Sequence, residues 1–384
     1  MSAQGQLLSN EAPRHLTSWR LRWHQYRNKL IANPRFQKWA ARNPITRVIA
    51  NRRATQLHHI TAGFVYSQTL AAFVELDIPN LLAEGPVQTA RLVSATGIAE
   101  PGLLTLLKAA HGLGLLESYQ GNLWGLGELG AAMLANPGIA AMVHHHRHLY
   151  ADLADPTALL RQRDNTALAN YWAYGDVKTG DISPAAYSEL MATSQGMIAD
   201  YVLDAVNFGA RKQLVDIAGG TGAFARRAVA RFPNLQATVF DLPAVAEQAA
   251  ASTNGDDEAV HSVQYRGGDM FEDSLPQHAD FMSLVRVLHD HDDQPAQLLL
   301  NKTYEALPAG GQLIVAEPMA NTRGSESIGH TYFGFYLWAM GSGRPRSAEE
   351  ITSMMTNAGF NRIREAKSPM PSLVRVLVAE KINT

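Results

Sequence analysis

The chain has 384 residues, 46% of them hydrophobic, and a formal net charge of −2. This composition is typical of a globular protein, and the length allows two domains with large cores. The sequence contains no cysteine, which excludes disulfide bonds, thiolate catalysis and zinc–thiolate sites. Because residues 1–18 are polar and contain no apolar run, we expect a cytoplasmic protein.

The first predicted unit is a basic arm over residues 1–53. No acidic residue occurs between Glu11 and Glu75, whereas eleven basic residues lie from Arg14 to Arg53. Without these eleven and Glu11, the chain keeps 22 basic and 34 acidic residues, a net charge of −12. The arm is therefore opposite in charge to the rest of the chain.

The arm is also aromatic, because it holds three of the six tryptophans, Trp19, Trp23 and Trp39. The prolines predict helix breaks at Asn33-Pro34 and Asn43-Pro44, which leaves short helices. Basic helices with aromatic residues often lie on anionic membrane surfaces. The alternative is that the aromatic residues pack on a partner subunit. Both interpretations, peripheral membrane contact and subunit contact, stay open.

The second predicted unit covers residues 54–182 and is mainly helical. A long helix is predicted over Gln56–Asp77, followed by helices at Thr89–Ala95 and Pro101–Leu113 and then two short apolar runs. This order of helix, turn, helix and hairpin looks like a winged helix. The segment from Glu75 to Ala135 has six acidic and two basic residues, which argues against nucleic-acid binding. A transcription regulator, the alternative, would need the arm for all its DNA contacts.

The third predicted unit, residues 183–384, alternates helices and strands, which indicates a mostly parallel sheet with crossover helices. A helix is predicted over Pro184–Asn207 and another over Ser347–Asn357. Strands are predicted at Gln213–Ile217, Gln236–Phe240, Ser262–Tyr265, Phe281–Val285, Gln312–Ala316 and, antiparallel at the end, Leu373–Ala379.

Four short segments follow successive strands of this unit. They are Leu214–Gly222 (LVDIAGGTG), Val239–Pro243 (VFDLP), Gly267–Phe271 (GGDMF) and Val287–His291 (VLHDH). Glycines between a strand and a helix let backbone amides approach a polar ligand closely. Asp241 then stands where a ribose diol is expected, nineteen residues after Gly222.

Each segment also has a less specific interpretation. Gly220–Ala225 fits a relaxed dinucleotide pattern, so taken alone it indicates NAD as well. Asp241 before Leu-Pro suits a helix N-cap, and Asp269 after two glycines suits a turn. An isolated histidine is more often structural than catalytic. The four segments in this order favour one combined site.

Taken together, the segments resemble the class I S-adenosylmethionine-dependent O-methyltransferases, in the plant and bacterial small-molecule branch. The resemblance implies a Rossmann-like α/β methyltransferase domain preceded by a winged-helix dimerisation domain, and hence a homodimer. It also implies S-adenosylmethionine as methyl donor and no metal. An NAD-dependent reductase is the more distant alternative.

The resemblance assigns roles to individual residues. His289 would be the general base, oriented by Glu317. The cofactor would be bound by Asp216, Gly219, Gly220, Gly222, Asp241, Asp269, Met270 and Ser194. The substrate would be bound by Tyr187, Met191, Tyr332, Phe335 and Tyr336. For Tyr187 and Met191, an ordinary core position is an equally good interpretation.

The chain departs from the family pattern at three places. His291 stands where tryptophan is usual, and Ala218 stands where a glycine is usual. Where a second glutamate is expected beside the base, the chain reads Gly343-Arg-Pro-Arg-Ser347, with no acid before Arg346. The His144–His148 run invites a metal interpretation, but adjacent histidines on a helix point in different directions, and we expect no metal there.

Within the family, the resemblance is to the carotenoid branch of phototrophic bacteria. The stretches that carry it are Asn33–Ala41, Ala62–Gln68, His144–His146, Leu149–Pro156, Tyr332–Tyr336 and Gly343–Glu349. It implies methylation of the tertiary C-1 hydroxyl of an acyclic carotenoid such as hydroxyneurosporene or demethylspheroidene. Because such a substrate lives in the bilayer, contact of the arm with the photosynthetic membrane would have a purpose. A phenolic or polyketide hydroxyl is the alternative acceptor.

Overall fold

In the computed structural model, the described residues are 19–171, 184–209, 212–252 and 262–382. Between residues 184 and 194 the backbone is helical and the side chains lie outside the description. Over this part of the chain, no helix is long and apolar enough to cross a membrane.

The basic arm forms helices α1 (Trp19–Ile31) and α2 (Pro34–Arg42), which lead into the long helix α3 (Arg47–Glu75). Asn33 is the N-cap of α2, because its side-chain oxygen accepts hydrogen bonds from the backbone amides of Arg35 and Phe36. Pro34 occupies the first helical position. Both predicted breaks are present. The long helix, however, begins at Arg47 and not near Gln56, since neither glycine nor proline occurs between residues 45 and 62. The predicted boundary between residues 53 and 54 therefore falls inside α3.

The arm has little core of its own. No side chain of α1 is buried, and the three arm tryptophans are exposed, Trp19 at 70%, Trp23 at 56% and Trp39 at 53%. Exposed apolar residues continue along α3 at Val48, Ile49, Leu57, Ile60 and Phe64. An apolar surface of this extent usually marks an interaction site.

The predicted helix, turn, helix and hairpin follow in the expected order. Helices α4 (Ile78–Leu81), α5 (Thr89–Thr96) and α6 (Glu100–Gly112) stand beside strands β1 (Val87–Gln88), β2 (Leu116–Tyr119) and β3 (Leu123–Leu126). The strands form an antiparallel sheet in the order β1-β3-β2. Phe73, Leu103 and Leu107 are fully buried between these elements, and the indole of Trp124 donates to the Thr89 hydroxyl at 3.0 Å.

Four helices connect this unit to the sheet domain. They are α7 (Glu128–Leu134), α8 (Pro137–Asp152), α9 (Pro156–Arg161) and α10 (Ala167–Tyr171). Helix α8 contacts the long helix α3 on one side and the sheet domain on the other. Residues of α8, which precede the sheet domain in the sequence, therefore lie against that domain.

The C-terminal domain is the predicted Rossmann-like α/β fold with a seven-stranded sheet. The strands are β4 (Gln213–Ile217), β5 (Gln236–Asp241), β6 (Val263–Gly267), β7 (Phe281–Val285), β8 (Gln312–Glu317), β9 (Asn361–Ala366) and β10 (Arg375–Glu380). They pair in the order β6-β5-β4-β7-β8-β10-β9. Strand β10 is antiparallel to both neighbours, and the other pairs are parallel. The helices are α11 (Pro184–Ala205), α12 (Ala223–Arg231), α13 (Pro243–Ser252), α14 (Asp293–Ala306), α15 (Gly334–Ala339) and α16 (Ala348–Asn357).

Hydrophobic side chains cover both faces of this sheet in two separate core clusters. Strand order reverses between β4 and β7, and in such sheets the ligand crevice lies at the carboxyl ends of the strands beside the reversal. A π-helical segment, Ser327–Phe333, leads directly into α15 at this edge. Wide turns of this kind are frequently found at functional sites.

Candidate active site

A cavity of about 220 Å³ opens at the carboxyl ends of β4, β5 and β7. Most of the predicted site residues meet there. Those that line it are Asp216, Gly219, Gly220, Asp241, Asp269, Met270, His289, Tyr332 and Tyr336. Two predicted residues are not among the described residues that line the cavity. They are Gly222, the N-cap residue of α12, and Glu317, the hydrogen-bond partner of His289.

The glycine-rich loop after β4 has the backbone conformation that its composition predicts. Gly220 and Gly222 have φ angles of 57° and 78°, in the left-handed region that favours glycine. A Cβ atom at Gly219 would lie 2.5 Å from an oxygen of Asp216. Ala218 adopts a φ of 52°, so the departure from glycine leaves a side chain in a strained conformation.

Asp241 fastens the loop to the next strand. Its two carboxylate oxygens accept the amides of Gly220 at 2.7 Å and of Leu242 at 2.8 Å. Each oxygen keeps a second lone pair, so the carboxylate can still accept a ligand hydroxyl. Burial raises the pKa of Asp241, and the two amides oppose that effect. The residue thus supports the loop in addition to facing the cavity.

Asp216 is the other carboxylate beside the loop. It accepts the Ser283 hydroxyl at 2.6 Å. Burial raises the pKa of Asp216 to about 7, although the Ser283 hydrogen bond works against it, and the Asp241 carboxylate adds to the rise. Burial therefore disfavours the charged form of Asp216.

Asp269 acts as a turn residue and also faces the cavity. One of its oxygens accepts the amides of Phe271 at 2.7 Å and Glu272 at 3.3 Å, an arrangement typical of an Asx turn. The turn places Met270 in the cavity wall. The turn interpretation and the ligand interpretation of Asp269 are both compatible with this geometry.

His289 sits on a short 3₁₀ turn, Leu288–Asp290, after strand β7. Its Nδ1 atom is hydrogen-bonded to the Glu317 carboxylate, which ends β8. The other Glu317 oxygen accepts the amides of Val287 at 3.1 Å and Leu288 at 2.8 Å. Glu317 therefore fixes both the imidazole ring and the turn that carries it.

A second carboxylate, not predicted from the sequence, lies beside His289. The Asp290 Oδ1 atom is 3.2 Å from Nε2 of His289. Burial disfavours the charged imidazolium, but the carboxylates of Glu317 and Asp290 outweigh it and raise the pKa of His289. Burial likewise opposes ionisation of Glu317, yet His289 and the backbone amides lower the pKa of that carboxyl. Together, the carboxylates of Glu317 and Asp290 stabilise a proton on the imidazole of His289.

The loop Gly343–Ser347 packs against the turn that carries His289 and supports it. The buried guanidinium of Arg346 donates to the carbonyls of Leu288 at 2.7 Å and His291 at 2.8 Å and pairs with Asp293 at 2.8 Å. Gly343, at φ 85°, packs so closely that a Cβ atom would overlap the His289 carbonyl. The loop that lacks the expected glutamate therefore supports the turn through its arginine.

His291 occupies the usual tryptophan position and lines the cavity. Its ring meets Phe271 edge to face, with centroids 5.0 Å apart. Burial, followed by the charge of His289, lowers the pKa of His291 to about 4. It is thus a neutral ring at physiological pH and a poorer base than His289.

One predicted substrate residue is placed differently. Phe335 is absent from the described residues that line the cavity and packs into the aromatic cluster around α15. Phe333, which the sequence analysis left without a role, lines the cavity, and its ring centroid is 5.8 Å from that of His289.

The remaining predictions concern residues of helix α11 and the histidine run His144–His148. Tyr187, Met191 and Ser194 fall in α11, where their side chains lie outside the described residues. His145 and His146 each lie within hydrogen-bond distance of a tyrosine hydroxyl. Among the described residues, no group of three or more histidine or acidic side chains is arranged to hold a metal ion.

Comparison with known proteins gives the family. An O-methyltransferase domain is matched over residues 150–361, and an O-methyltransferase dimerisation domain over residues 58–136. Demethylspheroidene O-methyltransferase of Cereibacter sphaeroides is 42% identical over 339 residues, which are 88% of this chain and 89% of the relative. The Rhodobacter capsulatus protein of the same name is 38% identical over 92% of this chain and 88% of its own length.

More distant relatives share the architecture. Mouse acetylserotonin O-methyltransferase is 30% identical and matches 80% of this chain and 84% of its own length. The crystal structure of human N-acetylserotonin methyltransferase superposes with a TM-score of 0.73 at 24% identity, covering 86% of this chain and 98% of that one. The match of residues 58–136 to a dimerisation domain favours subunit pairing over DNA binding for the hairpin unit. The chain belongs to the O-methyltransferase family, with the dimerisation domain and the α/β methyltransferase domain of that family in this order.

Proposed function

We propose that this O-methyltransferase transfers a methyl group from S-adenosylmethionine to the tertiary C-1 hydroxyl of an acyclic hydroxycarotenoid, with His289 as general base. The observation that carries the proposal is the imidazole of His289, which stands between two carboxylates at the edge of a cavity walled by aromatic rings. The names of the two bacterial relatives support the choice of acceptor.

The residues at the glycine-rich loop fit the cofactor. The Asp241 carboxylate, with lone pairs to spare, suits a ribose diol. The loop of Gly219 and Gly220 allows a close approach of the ligand to the backbone, and the Met270 thioether and Asp269 would flank an adenine ring. Bound there, S-adenosylmethionine supplies an electrophilic methyl group.

The protein contributes alignment and a place for the proton. An alcohol hydroxyl at hydrogen-bond distance from Nε2 of His289 can pass its proton to the imidazole as the new bond forms, a contribution of roughly 10²–10⁴ in rate. Glu317 stabilises the resulting imidazolium from Nδ1, and Asp290 does so from the Nε2 side. A tertiary alcohol is a weak acid, so two carboxylates beside the base are chemically appropriate.

The aromatic wall supports an apolar acceptor. Tyr332, Phe333 and Tyr336 bring ring surface to the cavity beside His289, and mostly apolar cavities with few polar groups favour apolar ligands. The alternative acceptor, a phenolic or polyketide hydroxyl, is supported by the more distant relatives named for acetylserotonin. Such acceptors are more acidic and need less help from a base.

The test is transfer of label. The purified protein is incubated with methyl-labelled S-adenosylmethionine and a matched panel of 1-hydroxycarotenoids in detergent and phenols in buffer. We expect label in the hydroxycarotenoids, at the C-1 oxygen. Label in the phenols alone would replace the acceptor, and label in neither would remove methyl transfer to these hydroxyls altogether.

The cofactor assignment has its own test. Asp241→Ala should weaken S-adenosylmethionine binding measured by calorimetry, because charged hydrogen bonds contribute about 1.5–3 kcal/mol each. Glu272 is an exposed acidic residue of the same domain, and Glu272→Ala is the control variant. An unchanged dissociation constant for Asp241→Ala would leave Asp241 with only its role in holding the loop.

We also propose that the protein is a homodimer and that its arm contacts anionic membrane. The exposed apolar residues Leu57, Ile60 and Phe64 of α3 lie in or next to the matched dimerisation domain and support subunit pairing. The exposed tryptophans of α1 and α2, surrounded by arginines and lysines with no acid nearby, support lipid contact. The carotenoid would then be taken up where it is dissolved.

A further inference from the structure

Two tyrosines of the cavity wall are held by histidines that lie behind it. The Nε2 atom of His146 is 2.7 Å from the Tyr332 hydroxyl, and that of His145 is 2.9 Å from the Tyr336 hydroxyl. Both tyrosines line the cavity, whereas neither histidine is among the described residues that do so. The hydroxyls therefore point to these two histidines of α8, a helix that contributes Met142 to the cavity lining.

The four groups stay uncharged under physiological conditions. Burial, with the neighbouring histidines, lowers the pKa of His145 to about 4, and burial lowers that of His146 as well. Burial raises the pKa of Tyr332 to about 12 and also raises that of Tyr336. A neutral imidazole nitrogen and a phenolic hydroxyl form a hydrogen bond in either direction, so each contact is satisfied without an ion.

The contacts fix which part of each tyrosine faces the ligand. The rings of Tyr332 and Tyr336 are stacked with centroids 5.8 Å apart, and Tyr332 meets Phe333 edge to face at 4.9 Å. Phe333 in turn meets the ring of His289. With the hydroxyls engaged from behind, ring carbon alone extends from the tyrosines to the base.

We propose that His145 and His146 are specificity-determining positioning residues, which turn the Tyr336 and Tyr332 hydroxyls away from the cavity and so create an apolar wall for the acceptor. This inference rests on the proposed function for the class of acceptor. Without its histidine, a tyrosine hydroxyl would lack a buried partner, and unpaired buried polar groups are strongly disfavoured. The tyrosine side chain would then adopt another rotamer that brings its hydroxyl toward the cavity, which would make the wall more polar.

The test is a cycle of three variants, His146→Phe, Tyr332→Phe and the double variant, assayed with the acceptor that the wild-type protein methylates best. His146→Phe should raise KM for an apolar acceptor by about tenfold, the effect of one unpaired polar group, with kcat within about twofold. Tyr332→Phe should change KM by less than about threefold. The double variant should return to the KM of Tyr332→Phe, because the hydroxyl that needs a partner is gone.

Controls separate positioning from packing. His144→Phe, on the exposed side of the same helix, should leave KM unchanged, and His146→Gln should retain most of the wild-type KM because an amide can still bind the hydroxyl. Calorimetry of S-adenosylmethionine binding and thermal melting check the fold of each variant. The cycle His145→Phe with Tyr336→Phe repeats the comparison at the second contact, so the test does not depend on one variant folding.

The outcomes distinguish this inference from the proposed function. A wild-type protein that methylates only phenols overturns the carotenoid acceptor, which is seen before any variant is made. An unchanged KM in both His→Phe variants overturns the positioning role. A double variant no better than its His→Phe parent does so too, since the loss would then come from packing and not from the freed hydroxyl.

Discussion

At the scale of single residues, His289 and His291 are neighbours with different environments. His289→Ala should lower kcat by at least about 10², because it removes the proton acceptor of the transition state, while S-adenosylmethionine binding stays nearly intact. His291→Ala is the control and should retain most of the activity, since its ring is the poorer base. Steady-state assays and calorimetry on the two variants give the comparison. Near wild-type turnover of His289→Ala would remove His289 from the mechanism.

Asp290 gives a prediction for pH dependence. The pKa of His289 is raised above its usual 6.5, and the base must be unprotonated, so the acid limb of kcat/KM should lie above pH 6.5. Asp290→Asn removes a negative charge beside Nε2, which lowers the pKa of the imidazole and should move the limb to lower pH. A pH profile measured for both proteins shows the shift. An acid limb that does not move would mean that Asp290 has no electrostatic effect on the base.

Much of the site could be predicted from the sequence because it is encoded in local motifs. The glycine-rich loop, Asp241 and His289 each follow a strand directly, and parallel strands bring their carboxyl ends to one edge. Asp290 could not be predicted as a partner of His289, because its direction depends on the 3₁₀ form of the turn. The contact of His145 with Tyr336 joins residues 191 positions apart, and a single sequence gives no sign of it.

At the scale of elements, the loop Gly343–Ser347 holds the turn that carries His289 in place. Gly343→Ala should destabilise the protein by about 2 kcal/mol or more, because the new methyl group combines a left-handed φ with an overlap at the His289 carbonyl. Turnover should fall with it, since the base moves. Gly112→Ala, in open space on helix α6, is the matched control and should be neutral or stabilising. Denaturant unfolding with activity assays measures both effects, and equal stability of the two variants would contradict the tight packing.

The elements themselves were predictable to different degrees. Six of the seven strands of the sheet agree closely with the prediction, because most of them are short apolar runs between turn residues. The edge strand β9 is not predicted, because its sequence, Asn361–Ala366, is mostly polar and exposed. Helix α3 begins nine residues before the predicted start at Gln56, because the change of charge that marks the end of the arm does not interrupt a helix. The π-helical segment Ser327–Phe333 has wider turns than an α-helix, and hydrophobic periodicity alone does not predict such a segment. The resemblance that assigns Phe335 to the substrate gives no role to Phe333, which lines the cavity.

At the scale of the whole molecule, deletion of the arm should abolish membrane binding and leave methyl transfer intact. Deletion of residues 1–46 ends before α3 and leaves that helix complete. If the arm binds anionic lipid, the truncated protein should no longer co-sediment with anionic vesicles but should still methylate detergent-solubilised carotenoid. Binding of the full chain should weaken as salt rises, because screening shortens the reach of the basic residues.

A matched variant distinguishes the two components of that binding. Replacement of Trp19, Trp23 and Trp39 by alanine keeps the charge and removes the aromatic anchors, so some salt-sensitive binding should remain. If the arm instead belongs to the dimer interface, truncation should give monomers at any salt concentration and abolish activity in detergent. Light scattering and the detergent assay on one sample decide, and a monomeric, inactive protein would contradict the membrane proposal.

The near neutrality of the chain conceals a second separation of charge, inside the cavity. Of the described residues that line it, four carry carboxylates, Asp216, Asp241, Asp269 and Asp290, and one, Arg286, carries a guanidinium. A surface of this sign attracts a cation. A sulfonium donor is positively charged at sulfur, whereas the thioether that remains after transfer is not. Methyl transfer therefore removes this electrostatic attraction at the moment the by-product forms.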